Sequence, residues 1–219
     1  MTTADMRHYW PNPAHGTQLI VQDATDAFGP IGHFSILRRY RQGGTINGSF
    51  VVSLDEYLAD QFLSSWKYRF DPVHGMIEVS NSFPGVLQIY KPGKWIPWGG
   101  VMSVGDVLSQ GLEADPAQGY GVIVGMGNYG WQSLEFETFH PQFTNAGGLD
   151  FENVVQILVM QSWCTTNACN FPGGQNVFQI RYWLAPATGA IQTEYILPTH
   201  RIDYAKSVTE TIALPMVAA

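Results

Sequence analysis

Charge is scarce in this sequence, and so is sulfur. Asp, Glu, Lys and Arg make up 13% of the 219 residues, about half the quarter usual in a soluble domain. Eleven basic residues face eighteen acidic ones, for a net charge of −7. That field repels a phosphate backbone, so nucleic acid is not an expected partner. No run of about 18 apolar residues occurs, so no helical membrane span is expected. With 45% apolar residues and no low-complexity tract, the chain falls outside the disordered class. Met1 to Trp10 carries Asp5 and Arg7 and has no apolar core of a leader, so this stretch reads as no signal peptide.

The two cysteines, Cys164 and Cys169, leave two readings open. They form either a local loop disulfide, which fits an extracytoplasmic origin, or two free thiols. No second Cys pair or closely spaced His pair completes a tetrahedron, so no metal is expected. Nor does any motif require a cofactor. Composition leaves the oligomeric state and the compartment open.

Aromatic residues are plentiful. Phe, Trp and Tyr equal the charged residues at 13%. The dominant pattern is period-two alternation rich in β-branched and aromatic residues, cut by Gly and Pro, which predicts about eleven short strands. They fall near Thr17–Gln22, His33–Arg41, Gly48–Val52, Trp66–Phe70, Met76–Asn81, Val86–Tyr90, Tyr120–Gly125, Tyr129–Phe139, Asn153–Trp163, Asn176–Ala185 and Ala190–Leu197. Two helices are expected among them. Ser53-Leu-Asp-Glu56 has the form of a capping box, and Leu54, Tyr57, Leu58 and Phe62 recur at helical spacing, predicting a helix over 54–65. Ser103-Val-Gly-Asp106 predicts a shorter one ending near Gly111. The fold expected is a single all-β domain over residues 1–219: an antiparallel barrel of lipocalin-like type with about 8–11 strands, since closure removes exposed sheet edges.

One pattern occurs twice. Lys67 to Ile77 and Arg181 to Ile191 each read as an aromatic strand, a Pro-x-x-Gly turn and a return strand. Proline and glycine favour such turns. The pattern marks either two related halves or two hairpins that arose independently.

Several motifs bear on chemistry. Gly125-Met-Gly127-Asn-Tyr-Gly130 spells the dinucleotide fingerprint, but that motif needs a helix after it. The following residues alternate as a strand, so a hairpin loop is expected. Ser103 lacks the glycine that a nucleophile elbow needs two positions earlier. The strand from Trp131 to His140 alternates so that Trp131, Ser133, Glu135, Glu137 and Phe139 share a face. Two carboxylates beside two large rings suit a group with a raised pKa and acid–base work, although an exposed outer face would read the same. His140, at the strand end, joins Glu135 and Glu137 as a catalytic candidate. On the strand Asn176–Ala185, Arg181 and Trp183 share a face, either to hold a planar ligand or as a structural contact. Trp95 and Trp98, in a turn-rich loop, and Trp131 complete the ligand-binding candidates. Arg38-Arg39-Tyr40-Arg41 places Arg39 and Arg41 on one face and Arg38 on the other, with a solvated edge as the expected setting.

The function expected is binding of a hydrophobic or aromatic small molecule in a barrel cavity. Alternatives are a cofactor-independent isomerase, cyclase or lyase working through carboxylates, and a lectin-like sandwich with tryptophan platforms.

Overall fold

The computed structural model describes residues 2–9, 17–26, 29–46, 49–58, 60–71, 75–83, 86–90, 96–97, 100–113, 129–164, 176–196 and 202–212. β1 (Thr3–Asp5) leads into a single 3-10 turn, Met6–Tyr9. A meander follows through β2 (Thr17–Asp26), β3 (Gly29–Ile46), β4 (Ser49–Leu58), β5 (Gln61–Asp71), β6 (Gly75–Phe83) and β7 (Val86–Ile89). Three short strands come next: β8 (Ile96–Pro97), β9 (Val101–Ser103) and β10 (Val107–Glu113). A second meander runs through β11 (Tyr129–Thr144), β12 (Asp150–Cys164), β13 (Asn176–Ala185), β14 (Gly189–Ile196) and β15 (Ile202–Ile212).

The two meanders make one thirteen-stranded antiparallel sheet, in the order β10-β11-β12-β13-β14-β15-β2-β3-β4-β5-β6-β7, with β8 paired to β6. All pairings along this path join sequence neighbours except β15 with β2, the seam between the halves. Among the described residues the path has two ends, β10 and β7, with no pairing between them. The repeated pattern occupies the same place in each half. It spans β5–β6 and β13–β14, the fourth and fifth strands of each six-strand run. Both hairpins therefore form as the sequence predicts, and Ala185 pairs with Gly189 across a turn whose glycine takes φ +81°, a conformation that glycine adopts without penalty.

Neither predicted helix exists. Residues 54–65 cross the end of β4 and the start of β5, which pair as Leu54↔Trp66, Glu56↔Ser64 and Leu58↔Gln61. Asp60 takes φ +64° in the turn between them, one of the few residue types that enters that region readily. The apolar set at helical spacing also fits two facing strands, and the pairing with β3 decides between the two forms. At Ser103 a tight turn replaces the second helix. Asp106 N–H donates to the Ser103 carbonyl at 2.9 Å, and Ser103 N–H donates to Asp106 Oδ2 at 2.8 Å. Gly105 supplies φ +93°, so the glycine that weakens a helix here closes a tight turn. The residues after Gly130 form a strand, as the reading of the glycine motif required. The expected strand at Tyr120–Gly125, most of that motif, Trp95, Trp98 and Cys169 lie outside the described residues; Cys164 is the last residue of β12.

One main core takes Tyr40 from β3, Leu54 from β4, Tyr68 from β5, Leu134 and Phe136 from β11, Val155, Ile157 and Val159 from β12, and Leu184 from β13. Strands β4 and β11 stand far apart in the pairing order, so the sheet curls until its two wings share an interior. The N-terminal segment closes over that core. β1 pairs with β9 as a separate two-stranded sheet, Met6 is fully buried, and Tyr9 Oη donates to the Asn153 carbonyl at 2.9 Å. Burying a methionine of this kind contributes about 1.5–3 kcal/mol. The loop between β11 and β12 folds back over β14 and β15, and its Leu149 packs against Ile36 and Val208. Buried Asn145 donates to the carbonyls of Ile191 and Val208 at 3.2 and 2.7 Å. A second cluster beneath this hairpin holds Val154, Trp183, Ala185 and Ile191.

Candidate functional site

The alternation of β3 sends Ile36, Arg38 and Tyr40 to one face, and that face is the interior. Arg38 is 5% exposed. Its position corrects the expectation of a solvated edge, because β3 lies between β2 and β4, inside the sheet. Arg39 and Arg41 do face outward as predicted. Arg39 lies over the Tyr57 ring, 5.2 Å from its centre, and Arg41 pairs with Asp55.

Directly across from Arg38 in the register stands Glu56 of β4, which is 1% exposed. Arg38 Nε and Nη2 both donate to Glu56 Oε1, at 3.1 and 2.8 Å, and Nη1 donates to the Ala190 carbonyl at 2.9 Å. Burial alone would lower the guanidinium pKa, but the Glu56 carboxylate outweighs it and the net shift is upward. Such a pair gains little net stability against apolar residues of the same size, so its presence needs another reason.

The pair borders a cavity of about 50 Å³ inside the curled sheet. Leu54, Leu184 and Ala190 form its apolar wall, and Tyr40, Trp66, Tyr68, Tyr182 and Tyr195 give it an aromatic one. The Tyr40 hydroxyl is buried near Arg38, yet no hydrogen bond of ordinary geometry reaches it among the described residues. Burial holds the phenols of Tyr40, Tyr68 and Tyr182 above their ordinary range. Glu78 of β6 completes the lining. Burial pushes its carboxyl up to about 8, against smaller opposing effects of hydrogen bonds from Asn81 and Tyr90. Asn81 Nδ2 lies 3.3 Å from Glu78 Oε1 and 2.9 Å from the Tyr90 hydroxyl. At neutral pH Glu78 is therefore a protonated acid, whereas Glu56 sits against a guanidinium. Two buried carboxyls, one with a cation and one without, are the kind of split environment seen at functional sites.

The residues singled out from sequence gather elsewhere. Glu137, His140, Arg181 and Trp183 come together on the outer face. The alternation of β11 breaks at Glu137, because Phe136 pairs with Ile157 and Thr138 with Gln156, leaving Glu137 as a bulge. Arg181 Nε and Nη2 donate to its two oxygens at 2.7 and 3.1 Å. Gln156 Nε2 donates to Glu137 Oε2 at 2.8 Å, and Gln156 Oε1 accepts from His140 Nε2 at 2.9 Å. Desolvation raises the Glu137 pKa, but hydrogen bonds from Arg181 and Gln156 win and the net shift is downward. Glu194 lies 3.6 Å from Arg181 Nη1, and its carboxyl is raised by burial. Glu135 occupies the same cross-strand row as Leu158, Arg181 and Glu194. Trp183 stacks on Phe143 with ring centres 5.9 Å apart, inside the outer cluster. Trp131 is half-buried on β11, opposite Gly111 and Ser162.

Sequence reasoning missed Arg38, Glu56 and Glu78. The signal for Arg38 was its place between Ile36 and Tyr40 on an otherwise apolar face. Glu56 was hidden by its assignment as a helix cap. Among the described residues no group of acidic, His and Cys side chains is arranged to hold a metal, and no helix is long and apolar enough to cross a membrane.

No family model matches the chain, and no curated protein matches its sequence. Among solved structures, the chain is similar to a protein from Bacteroides fragilis described as exported, with a YmcC-like fold. That match has 14% identity and a TM-score of 0.40 over 93% of this chain and 98% of the other. It is also similar to a protein from Parabacteroides distasonis described as a lipoprotein, with 12% identity and a TM-score of 0.41 over 94% of this chain and 98% of the other.

Proposed function

We propose that this protein binds a small aromatic or hydrophobic molecule carrying a polar group, inside a sheet that works as a barrel-like container. The observation that carries this reading is the buried Arg38–Glu56 pair with the Tyr40 hydroxyl beside it, all three on the wall of an aromatic cavity. Ligand pockets combine apolar walls with a few placed polar groups in this way. The space is small, room for about three or four waters by volume, so it receives one end of a ligand. Ile96 and Pro97 pair with Glu78 and Ile77, which ties β8 to the strand carrying Glu78.

The test follows from Trp66, which lines the cavity. A panel of small aromatic and polar compounds should alter Trp66 emission in the wild type, and Trp66→Phe should abolish that change. A panel that leaves both proteins unaltered would falsify the reading. A second reading, a cofactor-free isomerase, cyclase or lyase, is favoured by Glu78, whose protonated carboxyl is available as a general acid at neutral pH. It requires product formation from a compound that binds, with turnover lost in Glu78→Gln.

A further inference from the structure

Resting on the proposed binding role of the interior cavity, we infer that its ligand enters with an alkylammonium group, which sits against the aromatic wall and takes Glu78 as counter-ion. Three observations lead there. The first is the inventory of charge. Arg38 is matched to Glu56 through two hydrogen bonds, while the hydrogen bonds that Glu78 receives come from neutral groups, Asn81 and Tyr90. An incoming monocation with Glu78 ionised leaves the cavity neutral. An incoming anion would compete with Glu56 for Arg38 and leave one negative charge uncompensated, an expensive state in a buried site.

The second is the wall itself. Tyr40, Trp66, Tyr68, Tyr182 and Tyr195 surround the space, and ring faces attract cations most strongly when water is excluded. The third is the Tyr40 hydroxyl, buried beside Arg38 and with no hydrogen bond of ordinary geometry among the described residues. Its lone pairs can accept from an ammonium N–H. The volume of about 50 Å³ suits a headgroup of a few heavy atoms. Burial keeps Glu78 protonated at neutral pH, so binding a cation transfers that proton to solvent. The ionisable groups around Glu78 among the described residues are Tyr68 on β5, Tyr90, Tyr182 on β13, Arg38 and Tyr40 on β3, and Glu56 on β4. Burial holds the phenols of Tyr40, Tyr68, Tyr90 and Tyr182 above their ordinary range, and Glu56 holds the Arg38 guanidinium above its own, leaving Glu78 as the group expected to titrate.

The experiment is a chemical-shift titration of cavity side chains with methylammonium, acetamide and acetate, in wild type and Glu78→Gln. An alkylammonium keeps its charge to about pH 10, so any pH dependence belongs to the protein. Methylammonium should bind in preference to the other two, with affinity rising by about tenfold per pH unit from pH 6 to about 8 and then levelling, as release of one proton demands. Glu78→Gln, a neutral isostere of the protonated acid, should fold, bind methylammonium more weakly and show no pH slope. Preference for acetamide or acetate, or a flat pH profile in wild type, overturns the cation assignment while leaving a binding cavity in place. Silence from all three probes together with a silent compound panel overturns both.

Discussion

Arg38 and Arg181 each hold a glutamate through two hydrogen bonds, yet they stand on opposite faces of one sheet. Arg38 and Glu56 are 5% and 1% exposed, facing the interior. The side chains of Arg181 and Glu137 remain 29% and 19% exposed, on the outside. Water screens the outer pair, and its hydrogen bonds pass on through Gln156 to His140, a network that can rearrange at little cost. The inner pair has no such latitude. Each of its charges is tolerated only because the other is present, and it is the inner pair that borders a cavity. Similar chemistry on the two faces thus has different consequences, and the difference is desolvation.

The largest expected effect breaks the inner pair. Arg38→Met or Glu56→Gln alone should cost about 3–5 kcal/mol of stability in denaturant unfolding, since each leaves a buried group uncompensated. Replacing both with apolar residues should recover most of that loss and still abolish ligand binding. If the double variant is as unstable as the singles, the pair is structural and the comparison loses its meaning.

Glu78 sharpens the contrast, being a buried carboxyl with no guanidinium. Its pKa rises from 4.5 to about 8 on folding. The folded protein therefore holds a proton that the unfolded chain has lost. The stability associated with neutral Glu78 is complete below pH 4.5 and declines as pH rises to about 8, by up to about 1.4 kcal/mol per pH unit. Glu78→Gln should remove this slope and be more stable than wild type at pH 8, measured by unfolding across that range.

The smallest effect belongs to the outer pair. Arg181→Ala should cost about 1 kcal/mol or less, and added salt should narrow the difference from wild type. Because Glu137 is held below its ordinary range, the contribution of this pair is present at neutral pH and lost as pH falls through the acidic range. A loss as large as that for Arg38→Met would mean that the outer network, and not the cavity, anchors the sheet.

Much of this architecture was legible one strand at a time. Period-two alternation located the hairpins around the two Pro-x-x-Gly turns, and it separated Arg38 from Arg39 and Arg41. It also brought Glu137, Arg181 and Trp183 into consideration; Glu137 and Arg181 do meet, while Trp183 stacks on Phe143. Residues 54–65 were misread because Leu54, Tyr57, Leu58 and Phe62 satisfy helical and hairpin spacing alike, and that error concealed Glu56. Glu78 gave no sequence signal, since a glutamate between Ile77 and Val79 reads as an outward residue on any amphipathic strand.

By itself, then, the sequence determined an antiparallel, aromatic-rich sheet, its hairpins and the division of side chains between two faces. Only the tertiary structure decided which face became the interior. Both faces carry apolar residues, with Tyr182 and Leu184 lining the cavity and Trp183 and Ala185 in the outer cluster, so local alternation cannot rank them. The choice depends on the curl that joins β4 and β5 to β11 and β12 and on the seam between β2 and β15. Those contacts link residues far apart in the chain, and no window of sequence contains them.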